Sequence, residues 1–151
     1  MAESTHMTLC QAVADAIVAL ELPSYPDEVA IGADRVLVRW GIDIRPIKLP
    51  AVFILPVGTK AVVGGTNGSD DWAYPVSIYL VDRQSLEDPA PMDSVLLWRE
   101  RIERRFIYQR LGPAMVCQFN SSPVLDDRLV QAYQLLAEPI FFAFIVREAR
   151  G

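Results

Sequence analysis

The sequence predicts a single α+β domain over residues 1–151, a mostly antiparallel or mixed β-sheet flanked by two helices, with residues 1–7 as a flexible N-terminus. Three observations carry this. A length of 151 residues is one domain's worth, and such a chain buries roughly 68–70% of its unfolded surface without stapling. Its residues are 52% hydrophobic and 22% charged, with a mean hydropathy of +0.22, which excludes a disordered chain. Eleven prolines exceed the roughly 5% background and argue against a helix bundle. Alternating segments then group around two helical ones instead of interleaving with them, as in an antiparallel layer.

The first helix is read as Thr8 to Leu22. Leu9, Val13, Ala16, Ile17 and Leu20 recur at three- and four-residue spacing, Thr8 is the N-cap and Pro23 stops the pattern. Arg35–Trp40 alternates as a half-buried strand, with Val36, Val38 and Trp40 on one face. Ala51–Val57 is an apolar strand bounded by Pro50 and Pro56, which place it at an edge or a sheet margin. Gly58–Asp71 holds Gly64, Gly65, Asn67 and Gly68, and reads as a long mobile excursion or a hairpin with its tip at Thr66-Asn67-Gly68.

Tyr74–Asp82 is the clearest strand, with Val76, Ile78 and Leu80 on one face. Asp93 or Ser94 caps the second helix, which runs to Leu111 and is closed by Gly112-Pro113. Val95, Trp98, Ile102, Phe106 and Leu111 form its buried stripe, expected to pack on the sheet containing Ile140–Val146. Ala114–Phe119 is a short strand. Arg128–Ala137 fits both a helix and a strand, and the strand is preferred. Ile140–Glu148 is the final strand, apolar on both faces and so central or covered on both sides.

The net charge is −5, so no global basic field recruits nucleic acid. The balance is uneven. Residues 1–90 hold 12 acids and 6 bases, whereas residues 91–111 hold 3 acids and 5 arginines. Cys10 and Cys117 lack zinc spacing and read as reduced thiols. The start has no basic n-region and Asp15 interrupts its apolar run, so no signal peptide is expected. The longest apolar run, Ile140–Val146, is far below the roughly 18–20 residues of a membrane helix.

No catalytic constellation emerges. The single histidine, His6, precedes the first helix on a terminus expected to fray. Asp70-Asp71 and Asp126-Asp127 are adjacent acids without metal-site framing, and read as solvated turn acids. The glycines of residues 58–68 do not form a phosphate loop, because Lys60 precedes the glycine pair and no helix follows. Catalytic, cofactor and metal residues are therefore expected to be absent.

Two places remain for partners. Arg99, Arg101, Arg104, Arg105 and Arg110 cluster on and after the second helix, where Glu100 and Arg104 are placed to pair at i,i+4. This is either a solvated helix face or a contact to another subunit or to DNA. Trp72 and Tyr74, beside the glycines, are either an interface or ligand platform or the start of an inward-packing strand. The candidate interface residues are Gly64, Gly65, Asn67, Trp72, Arg99, Arg104 and Arg110.

Taken together, several features resemble the small tail-terminator and neck (tail-completion) proteins of tailed bacteriophages. They are the short N-terminal helix, Leu49-Pro50…Pro56 leading into a glycine-rich segment, and Tyr74-Pro75-Val76-Ser77-Ile78-Tyr79-Leu80-Val81-Asp82. The Trp98-Arg99-Glu100-Arg101-Ile102 helix follows, then a last strand ending Val146-Arg147-Glu148-Ala149-Arg150-Gly151. The resemblance runs from about residue 8 to the end. It implies a structural virion protein made in the host cytoplasm, assembled as a homo-oligomeric, hexameric ring at the head–tail junction. Its partners would be the tail tube protein and the head–tail connector, with phage DNA passing through the lumen without sequence-specific binding. It implies no enzyme activity, no cofactor and no membrane partner. Another neck protein, a connector adaptor or stopper, is the alternative within the class. From another class, a small enzyme or ligand-binding module would use the Gly58–Trp72 loop.

Overall fold

A computed structural model describes residues 4–24, 29–39, 48–57, 61–65, 68–83, 89–114, 116–120 and 135–150. In chain order the elements are α1 (Thr5–Ala19), β1 (Val36–Val38), β2 (Ala51–Pro56), β3 (Ala61–Gly65), β4 (Ser69–Arg83), α2 (Ala90–Phe106), β5 (Val116–Asn120) and β6 (Leu135–Ala149). The six strands form one sheet in the order β1-β2-β4-β6-β5, with β3 also on β4. Every pairing is antiparallel except β1 with β2. The fold is thus α+β with a mixed sheet.

The frame is the β4–β6 pair, in register from Ser69↔Ala149 to Arg83↔Leu135. Fifteen residues at ~3.4 Å each make a ribbon about 50 Å long. Both helices pack on one face of it. Tyr74, Val76, Ile78 and Leu80 of β4 and Ile140, Phe142, Phe144 and Val146 of β6 meet Leu9, Val13 and Ile17 of α1 and Val95, Trp98, Ile102 and Phe106 of α2 in one core. Phe106 stands edge-on to Phe142 and Phe144, with ring centroids 5.8 and 6.1 Å away. Trp98 is fully buried and its indole N–H donates to the Pro23 carbonyl at 2.7 Å. The opposite face carries a smaller cluster of Ala51, Phe53 and Val81. As its two apolar faces predict, β6 is central, between β4 and β5.

Several boundaries differ from the sequence reading. α1 begins at Thr5, not Thr8, because the Ser4 hydroxyl caps it by accepting from the Met7 N–H at 3.1 Å. Thr8 lies one turn inside and its hydroxyl donates back to the Ser4 carbonyl. The helix ends at Ala19, not Leu22, as Glu21 turns left-handed (φ 52°) ahead of Pro23. β2 is not an edge strand, because β1 covers its outer side; Pro50 and Pro56 stand at its ends, not along its flank.

Pro75 lies inside β4, a central strand. Its carbonyl accepts from Val57 N–H at 3.2 Å, so its missing N–H points to the same side, just past the last residue of β2. Only the return bond to Val57 is lost there, and the ladder to β6 is untouched.

α2 starts at Ala90, before Asp93, with Pro91 in its first turn. It ends at Phe106, not Leu111. Tyr108 takes a left-handed conformation (φ 57°) and its N–H donates to the Cys117 carbonyl of β5 at 2.9 Å, drawing the chain out of the helix. Gly112 (φ 53°) and Pro113 instead form a tight turn between Leu111 and Ala114, which bridge each other. β5 accordingly starts at Val116. Of Arg128–Ala137, residues 135–137 belong to β6, and the remainder lies outside the described residues.

Candidate functional site

Of the two readings of Gly58–Asp71, a mobile excursion or a hairpin, the described residues form the hairpin. β3 pairs with the first residues of β4, Ala61↔Ala73 to Gly65↔Asp70, with a bulge between Val62 and Gly64. Those β4 residues also pair with the end of β6, through Trp72↔Val146 and Asp71↔Arg147. A three-stranded arm, β3-β4-β6, therefore continues the sheet beyond β2. Gly65 permits its tight end: a Cβ there would sit 2.9 Å from the Ser69 carbonyl and 3.2 Å from an Asp70 carboxylate oxygen. Asn67 lies outside the described residues.

Charges stitch the arm together. Asp71 accepts two bonds from the Arg147 guanidinium, at 2.8 and 3.2 Å, and Asp70 pairs with Arg150 at 2.8 Å. These acids are strand residues with arginine partners, not the solvated turn acids expected from sequence. The hydrogen bond from Arg147, reinforced by its charge, holds the Asp71 carboxyl below its usual range. Trp72 is half-buried and packs against the main core, while Val62 and Val63 of β3 are 54% and 56% exposed.

His6 is not on a frayed end. It stands in the first turn of α1 with Nε2 2.7 Å from the Pro75 carbonyl, so Nε2 carries the proton. Its ring meets Tyr74 edge-on at 5.4 Å, and the Tyr74 hydroxyl donates to the Glu148 carboxylate. The three residues clamp α1 to the root of the arm.

The arginine cluster divides. Arg99 is pinned to the protein, its Nε bonded to Glu103 at 2.8 Å and its Nη1 3.4 Å from the Pro139 carbonyl. With a side chain only 13% exposed, it is not part of a solvated face. The i,i+4 pair that forms is Arg99–Glu103 in place of the expected Glu100–Arg104. Arg105 lies over the Phe106 ring at 5.4 Å. Arg104 is exposed and, with Glu100, Glu103 and Ile107, lines an open hollow of about 390 Å³. Arg101 and Arg110 are also exposed.

The candidate residues thus fall into two groups: Gly64, Gly65 and Trp72 on the arm, and Arg99, Arg104 and Arg110 along α2 and its exit. The register Cys117↔Phe144↔Tyr74 puts the exit of α2 at the arm's end of the sheet. Sequence reasoning missed Val62 and Val63; the only signal for them was a short apolar run before Gly64-Gly65. Among the described residues no group of three histidine, cysteine or acidic side chains could hold a metal ion, and no helix is long and apolar enough to cross a membrane.

Compared with protein-family models and with curated protein sequences, the chain finds no match in either.

Proposed function

We propose that this chain is a structural subunit of a tailed-phage neck, one copy of a hexameric ring that ends the tail tube and joins it to the head–tail connector. The observation that carries the reading is the arm. An extension of the sheet with two valines more than half exposed and a strand that, among the described residues, is paired on one side only is a template for pairing, which stable monomers normally blunt. Subunit contacts give such a surface a place to be buried. The acidic total of −5 suits a lumen through which DNA slides without being held. In this reading the chain does no chemistry and binds no cofactor.

The ligand-module alternative depended on a free loop at Gly58–Trp72. It loses support because Ala61–Gly65 and Ser69–Trp72 are paired strands. The test is native mass spectrometry and negative-stain imaging of the chain alone and mixed with a tail-tube subunit. A symmetric ring is expected, at the latest in the mixture. A chain that stays monomeric in both overturns the reading, and a ring that joins only the connector makes it an adaptor or stopper.

A further inference from the structure

A groove of about 240 Å³ runs between α1 and β1, with Ala14, Asp15 and Val18 on one wall and Val36, Val38 and Arg39 on the other. β1 joins β2 through the Arg35 carbonyl, which accepts from Val52 N–H at 2.7 Å, and the Arg39 N–H, which donates to the Ile54 carbonyl at 3.0 Å. In the parallel register Leu37↔Phe53, Leu37 turns both main-chain groups the same way. Val36 and Val38 therefore turn theirs away from β2, toward the edge that is outermost among the described strands. The Val38 carbonyl is taken by the Arg39 guanidinium at 2.8 Å. The Val36 N–H and C=O and the Val38 N–H have no partner among the described residues.

Val36 is nevertheless only 5% exposed. Buried main-chain groups are nearly always hydrogen-bonded. A run of unpaired strand donors and acceptors beside a helix is the geometry that accepts an added extended segment.

The chain carries a segment that matches. Among the described residues, Val62–Gly65 of β3 make main-chain bonds to β4 alone, on a projecting arm with exposed valines. We propose that β3 of one copy adds as a strand to the β1 edge of the next, laying its valines against the half-buried Val18 and Val38 of the groove. This rests on the ring reading and names its contact. Arm and groove are different surfaces, so the contact is heterologous, as ring closure requires. Two strands of three and five residues make a small contact beside the ~1,200–2,000 Å² of a stable interface. The pairing is therefore weak between two free chains and holds in a closed ring, where each subunit makes it twice.

The test is disulfide trapping in the full chain, whose native thiols are both buried. Val63→Cys protein is mixed with Ala33→Cys or Arg39→Cys protein, and a mixed disulfide is expected under conditions where the ring forms. Val38→Pro blocks the outward N–H without touching the β1–β2 ladder, and Val63→Asp charges the arm at an exposed position. Each should abolish both the cross-link and the assembly while leaving a cooperative melt. A ring that forms without the cross-link and survives both substitutions overturns this contact and leaves the ring reading intact. Absence of any symmetric oligomer, with or without a tail-tube subunit, overturns both. Val63→Cys joining only to itself, or the groove becoming protected only by another protein, assigns these surfaces to a different occupant and also overturns the proposal.

Discussion

Phe106→Ala offers the most direct test of how the helical layer is held. Phe106 is fully buried and is the last residue of α2, wedged edge-on against Phe142 and Phe144. Truncating a buried phenylalanine costs about 3–5 kcal/mol, the transfer term plus the cavity left behind. Each lost aromatic pair lies within that figure, at roughly 0.5–1.5 kcal/mol. The position at a helix end allows some collapse, which favours the lower half of the range. Against a total stability of ~5–15 kcal/mol, even that is a large fraction. At ~2–4 °C per kcal/mol for a domain this size, the melting temperature should fall by roughly 6–16 °C. Arg104→Ala is the paired control: exposed and off the buried stripe, it should change stability by no more than about 0.5 kcal/mol. The assay is thermal unfolding followed by circular dichroism on both variants. A fall of less than about 3 °C for Phe106→Ala would refute the packing argument. If Arg104 meets a neighbouring subunit, its variant folds normally but fails in assembly; normal assembly makes it a solvated residue.

Three further outcomes are expected. Trp98→Phe removes the indole N–H that donates to the Pro23 carbonyl and should cost about 1–3 kcal/mol in urea unfolding; a neutral result would mean that water replaces the indole. Asp71 has a lowered pKa in the folded chain. Its stabilising contribution is complete above the unfolded carboxylate value, about 3.9, and is lost as pH falls through the lower folded value. Arg147→Gln should move the Asp71 midpoint upward in a carboxyl NMR titration, and an unchanged midpoint would exclude the ion pair. Burial pushes the Cys10 thiol up to about 11 and the Cys117 thiol up to about 12. Both should resist a thiol reagent at pH 8 until the chain unfolds, whereas fast labelling of native protein would contradict their burial.

What was legible in the sequence is what burial on one face or on both writes into it. The Val95, Trp98, Ile102 and Phe106 stripe is the period of a helix buried on one side, the apolar run of β6 is a strand covered on both, and each stands where it was expected. Gly58–Asp71 was open between a mobile excursion and a hairpin, because β3 is short and rich in glycine, and its pairing with β4 decides for the hairpin. What escaped depends on partners that the local pattern does not name. The exit of α2 is set by the Cys117 carbonyl, which nothing in Ile107–Leu111 reveals, so Gly112-Pro113 looked like the stop. The β1 groove is invisible for a related reason. Open N–H and C=O groups are a consequence of lying outermost in a sheet, and strand order is not carried by alternation. The arginines show the same boundary within one helix. Arg99 and Arg104 are chemically identical and five residues apart, nearly one and a half turns. That phase difference presses Arg99 against Glu103 and the Pro139 carbonyl and leaves Arg104 on the open side. Composition supplied a basic cluster, and only the helix's orientation on the sheet separates the arginine that holds the fold from the one available to a neighbour.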